Sequence, residues 1–204
     1  MQQIKFTDGC PNGCEYCYES KVQPKNYLPD ISYDDIQILD MNFLSNEDAL
    51  KLLYGLPSRP SYEFVCGIDY RRLTQEICYL LKQKGFIKIR WAWDYGFSQQ
   101  KIHKATLEML KKAGYRSKDL SIFILSNWKI SFEECCRKLD LLKVWNVKVN
   151  DCCYDGGYHI KNWSDYQANQ NPKNWSYPSL KMFRKKCRKH NQMVLFGIDP
   201  ELKC

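Results

Sequence analysis

The sequence predicts an α/β fold: an open partial (β/α)6 barrel of mostly parallel strands with helices outside, residues 1–204 forming one domain. Three observations predict it. Short β-branched or aromatic runs alternate with helical stretches along the chain, the pattern of a parallel sheet covered by helices. Asp40, Asp69, Asp94, Asn127 and Asp151 each fall at or just after the end of an expected strand, the edge where parallel α/β folds bind ligands. Capping of the following helix is the plainer role for any one of them. A length of 204 residues suits one well-packed domain and is short for two.

The expected strands are Gln3–Thr7, Asp35–Asp40, Tyr62–Cys66, Phe86–Trp93, Leu120–Leu125 and Val147–Val149. Between the second and third, Ser45 with Asp48 reads as an N-cap signature before Ala49–Leu53, and Gly55 closes that segment. Arg71 to Lys84 carries apolar residues at Leu73, Ile77, Leu80 and Leu81 and ends at Gly85. Ser98 opens a helix through Ile102, Ala105, Leu107 and Leu110 to Gly114, and Ser131 caps Phe132 to Leu142. The last helix lies within Ser179–Lys189, so 1–150 hold strands and helices and 151–204 a long aromatic loop and a basic helix.

Composition is that of a soluble globular protein, with 44% hydrophobic and 26% charged residues. No run approaches the roughly 18 apolar residues of a membrane span. Met1–Phe6 lacks the apolar stretch of a secretory signal, so a cytoplasmic location without membrane contact is expected. Eleven cysteines in a reducing compartment point to metal or cluster ligands for some and small buried hydrophobes for the rest. The net charge is +8 and the densest basic run is Lys181–Lys189. That run suits a nucleic acid or an acidic protein, or is a solvated helix face.

Directly after the first strand come Cys10, Cys14 and Cys17, spaced C-x3-C-x2-C, with Tyr16 before the third. Three thiolates from one loop can grip three irons of a cubane and leave the fourth without a protein ligand, whereas cysteine-ligated [4Fe–4S] clusters ordinarily use four. The vacancy would admit a substrate, as the open position on catalytic zinc does. A buried helical stripe at i, i+4, i+7 is opposed by Pro11, Asn12 and Gly13, which interrupt a continuous helix. A disulfide is disfavoured by compartment. Zinc held with His159 or His190 stays open, although zinc ligands typically come in two separated pairs.

The motif C-x3-C-x-aromatic-C, following the first strand of an alternating β/α chain, resembles the signature of the radical S-adenosylmethionine superfamily. The resemblance implies a [4Fe–4S] cluster on Cys10, Cys14 and Cys17, with S-adenosylmethionine chelated to its free iron. One-electron reduction, by a donor such as flavodoxin or ferredoxin, would then give methionine and a 5′-deoxyadenosyl radical that abstracts hydrogen from a substrate. Where many members carry Gly-Gly-Glu, this chain has Leu39-Asp40-Met41-Asn42-Phe43-Leu44. That segment is similar to the Asp-Asp-Asn-Phe variant of the methylthiotransferase and cobalamin-binding branches, and implies Asp40 and Asn42 as contacts to the methionine end. On the fourth strand, alternation sets Lys88, Arg90, Ala92 and Asp94 on one face. Facing inward, Arg90 would pair with the methionine carboxylate, with Asp94 beside it; an Arg–Asp structural pair is the alternative. Asn127, after the fifth strand, is the candidate for the adenosine.

Cys152 and Tyr154, after the sixth strand, are the candidate catalytic side chains. Cys152 with Cys153 is also a candidate for an auxiliary cluster, but without a repeated C-x2-C pattern the remaining cysteines read as passive thiols. From Tyr154 to Tyr177 the chain is rich in aromatic, Asn, Gln and Lys residues, as in a loop that closes over a site or stacks on bases. Three functions follow: a radical enzyme acting on an unidentified substrate, nucleotide or nucleic acid among them; an activase that installs a glycyl radical on a partner protein; or a non-enzymatic iron–sulfur or zinc protein that binds nucleic acid.

Overall fold

The computed structural model describes residues 1–17, 29–154 and 175–197. Strands and helices alternate: β1 Gln2–Ile4, β2 Asp35–Ile38, α1 Ala49–Gly55, β3 Ser61–Phe64, α2 Gln75–Gln83, β4 Ile89–Ala92, α3 Gln100–Lys112, β5 Leu120–Ser126, α4 Phe132–Trp145, β6 Lys148–Cys153 and α5 Tyr177–Phe196. The strands form two three-stranded parallel sheets in chain order, β1-β2-β3 and β4-β5-β6, a mixed α/β fold with no closed barrel among the described residues. The chain divides into two compact units, Met1–Ala92 with Lys101–Leu120, and Trp93–Gln100 with Ser121–Cys204.

In the first unit, alternation along each strand sends one face into the core. Ile4, Ile36, Ile38, Tyr62 and Phe64 are buried, while Gln3, Gln37 and Glu63 stand on the other face. The register Ile4↔Ile38 and Ile38↔Phe64 aligns the apolar set across the sheet. A run of ring contacts continues it, from Phe6 to Phe43 at 5.4 Å, Phe43 to Phe64 at 5.3 Å and Phe64 to Phe86 at 4.7 Å. The expected strand Phe86–Trp93 begins only at Ile89. Lys88 takes a left-handed backbone (φ 50°), which breaks the alternation and leaves Ile87 exposed. Isolated parallel bridges still join Tyr62 to Phe86 and Ile68 to Trp91.

Helix signals held where a side chain reaches the orphan amides. Thr74 caps α2 by accepting from the Ile77 amide at 3.2 Å, so the helix starts later than Arg71. Gly85 and Gly114 adopt positive φ, and Gly85 also has Pro60 O where a Cβ would stand. At α1 the expected signature is differently spent: the Ser45 hydroxyl donates back to Asn42 O at 2.7 Å, Asp48 makes no capping bond, and Gly55 is the last helical residue rather than a left-handed stop. Ser98 likewise lies inside a 3-10 turn, Phe97–Gln99.

In the second unit, β5 and β6 pair from Ser121↔Lys148 to Ser126↔Cys153. Ser131 caps α4 through the Glu134 amide, and Asn146 ends it in a left-handed turn. Trp93 stacks on Trp145 at 5.8 Å. The fully buried Lys138 donates to Trp93 O at 3.0 Å and Tyr95 O at 2.6 Å, fastening the segment after β4 to α4. No helix among the described residues is long and apolar enough to cross a membrane.

Candidate functional site

Parallel pairing brings the C-terminal ends of β1, β2 and β3 to one edge, so the segments that follow them meet although they are far apart in sequence. After β1 comes the cysteine segment. Gly9 (φ 78°) and Gly13 (φ 58°) give it the left-handed turns that other residues resist, and the Cys17 amide closes onto Cys14 O at 3.0 Å. Cys10, Cys14 and Cys17 are unbridged and half-buried. Its base is pinned by Asp40, fully buried after β2, which accepts from the Phe6 amide at 2.9 Å and the Thr7 hydroxyl at 2.6 Å. Burial raises the Asp40 carboxyl and those bonds partly offset it. Each oxygen takes one bond from the loop, so Asp40 holds the loop in place at the position where the resemblance implied a contact to the methionine end.

Asn42 sits beside that loop, 3% exposed. Its amide Nδ2 lies 3.7 Å from Cys10 Sγ and donates to Asp69 Oδ2 at 3.1 Å. Asp69, after β3, also accepts from Asn12 Nδ2 at 3.1 Å and from Arg71 Nε and Nη2 at 2.8 and 2.9 Å. Burial alone would raise the Asp69 carboxyl, but the bonds from Arg71, Asn12 and Asn42 outweigh it and hold it below the usual carboxylate range. An ionised carboxylate accepts only, so it fixes which end of the Asn42 amide faces it. Asn42 Oδ1 is thereby turned away, buried and without a hydrogen-bond partner. The Asp69 carboxylate raises the Arg71 guanidinium further above its usual range.

Arg90 is ion-paired with Glu63 of β3, which also takes Lys88 at 2.8 Å; its partner is a half-buried glutamate rather than an aspartate. Asp94, Asn127, Cys152 and Tyr154 belong to the second unit. Asn127, 2% exposed and left-handed (φ 61°), gives both ends of its amide to the protein: Nδ2 donates to Tyr154 O and Oδ1 accepts from the Trp175 amide, each at 2.9 Å. Those two bonds staple the turn after β5 to the segments that follow β6 and precede α5. Tyr154 packs edge-on against Trp128 at 4.3 Å. Cys152 is exposed, while burial pushes Cys153 up to about 12, a value that keeps a thiol inert. His190, the candidate fourth zinc ligand, is buried and bonded to Val147 O at 2.7 Å. His159, the rest of 155–174 and Cys204 lie outside the described residues.

Among the described residues no three His, Cys, Asp or Glu side chains are arranged to hold a metal ion. The donor types are those an iron–sulfur cluster takes, three unbridged thiols within one loop with an amide hydrogen directed at one sulfur. Asp69, Arg71 and Asn12 were not singled out as ligand-site residues by the sequence beyond the position of Asp69 at a strand end. No family model matches the chain, and no curated protein is significantly similar to it.

Proposed function

We propose that the chain is a radical S-adenosylmethionine enzyme, with Cys10, Cys14 and Cys17 holding a [4Fe–4S] cluster. The observation that carries the reading is Asn42 Oδ1, a buried acceptor without a partner, beside the cysteine loop and oriented by an ionised Asp69. A buried acceptor without a donor costs roughly 1–3 kcal/mol, and an ammonium group would satisfy it. The ammonium of S-adenosylmethionine is that donor in this proposal. A cluster held by Cys10, Cys14 and Cys17 with S-adenosylmethionine bound would supply, on one-electron reduction, the chemistry of hydrogen abstraction from a substrate, with methionine as the leaving group.

The protein's own residues do the rest. Asp40 keeps the start of the cysteine loop against β2. Asn42 donates a hydrogen bond to the Cys10 sulfur, which would favour the more reduced, more negative state of a cluster held there. Asp69, with Arg71 and Asn12, holds that amide in one orientation. A one-electron donor of the flavodoxin or ferredoxin class is the expected partner. The open partial (β/α)6 barrel belongs to the same proposal, and the parallel order of the strands and the bridges beyond β3 support it.

Anaerobic reconstitution with iron and sulfide tests the reading. The expected product is brown protein that forms 5′-deoxyadenosine from S-adenosylmethionine after dithionite; a colourless protein holding one tight zinc would overturn it.

A further inference from the structure

The helix α5 carries a charge pattern that folding does not require. Over Tyr177–Phe196 it bears Lys181, Arg184, Lys185, Lys186, Arg188 and Lys189 and no Asp or Glu. Its inward stripe is Leu180, Phe183, Cys187 and His190, all buried. Asn191 fastens it to β6, accepting from the Val149 amide at 2.8 Å and donating to Val149 O at 2.7 Å. Arg184 reaches back to Asp151 at 3.1 Å. With that stripe turned in, Lys181, Lys185 and Lys189 fall on the opposite side at four-residue steps, about 6 Å of rise each, with Arg188 beside them, all exposed. Like charges at this spacing repel and weaken a helix. A fold could carry acids here at no loss, so the pattern asks for an anionic partner.

The ends of the same helix narrow the choice. Tyr177 is 40% exposed and Phe196 68% exposed, and helical spacing sets both rings near the cationic side, roughly 30 Å apart at most. An interfacial membrane helix turns its apolar stripe to lipid, whereas here that stripe is buried in the protein. Ion pairing with an acidic protein would use the lysines and leave the rings idle. Cations for a backbone with aromatic faces for bases is the combination found where single strands are bound. We propose that the outer face of α5 binds single-stranded nucleic acid, with Lys181, Lys185, Arg188 and Lys189 on phosphates and Tyr177 and Phe196 stacked on bases. The proposal stands whether or not the cysteine loop holds a cluster.

The test is fluorescence anisotropy of the full chain with a labelled oligothymidylate at increasing KCl. Three phosphate contacts contribute about 2 to the slope of log affinity on log salt, at roughly 0.7 per contact for single strands. K181A/K185A/K189A is expected to weaken binding by about tenfold or more and to lose that part of the slope. Y177A/F196A is expected to weaken binding with the slope unchanged, which separates stacking from charge. Circular dichroism matching the unsubstituted chain shows that either variant is folded. Unchanged affinity and slope in the triple variant would overturn the proposal. So would competition by polyglutamate equal to that by unlabelled oligonucleotide, which would identify an acidic protein as the partner.

Discussion

Replacing Asp40 by alanine tests the link between the sheet and the cysteine loop. The side chain is fully buried and accepts from the Phe6 amide and the Thr7 hydroxyl, at residues that are 2% and 0% exposed. With Asp40 in place those donors are shielded from solvent. Each buried donor left without a partner costs roughly 1–3 kcal/mol. Removing a desolvated carboxylate, whose proton affinity burial has raised, returns part of that. The expected loss is therefore about 2–3 kcal/mol, or about 4–12 °C in Tm at roughly 2–4 °C per kcal/mol for chains of this size. Cys10 follows Thr7 by three residues, so the loop loses its anchor with the stability. Thermal melts by circular dichroism and iron content after anaerobic reconstitution measure both effects. A variant with unchanged Tm and full iron would refute the reasoning.

Three further outcomes are expected. Cys14→Ala should abolish iron retention after reconstitution, because two thiolates do not hold the cubane, whereas Cys135→Ala, at a buried thiol pushed up to about 12 by desolvation, should leave iron per chain unchanged. Asp69 has a depressed folded pKa, so its stabilisation is whole above the unfolded value of about 3.9 and lost as pH falls through the folded one; urea midpoints should show Asp69→Asn below the parent at pH 6 with the gap closing in acid, and a pH-independent gap would exclude this. Burial lowers the pKa of Lys138, so its linkage makes stability rise with pH between the folded value and about 10.4. Subtracting the Lys138→Met curve from the parent should isolate that rise, and parallel curves would rule it out.

Much of the fold was legible because burial writes itself into strands. Ile36/Ile38 and Tyr62/Phe64 alternate with polar residues, and β5 is nearly continuous apolar sequence. Ser131 before α4 was readable for the same local reason, a hydroxyl one turn from an orphan amide. The start of β4 was not, since nothing in the sequence marks Lys88 for a left-handed backbone. At the site, the cysteine loop was legible from its spacing, and Asn42 was a candidate through the resemblance of Leu39–Leu44. The bonds that orient Asn42 could not: Asp69 is 27 residues further along and Asn12 is 57 residues from Asp69. Only parallel strand ends bring the three together. Asp40 and Asn127 show the converse, polar residues at strand ends whose bonds go to segments distant in sequence: Asp40 to the Phe6 amide and Thr7 hydroxyl, Asn127 to Tyr154 O and the Trp175 amide.

Electron paramagnetic resonance of the reconstituted, dithionite-reduced protein tests the central claim most directly. A reduced [4Fe–4S] signal that changes when S-adenosylmethionine is added, and loses that response in Asn42→Leu while the cluster is retained, is the predicted result. A cluster signal indifferent to S-adenosylmethionine in the parent chain would contradict an open iron vertex at Cys10, Cys14 and Cys17.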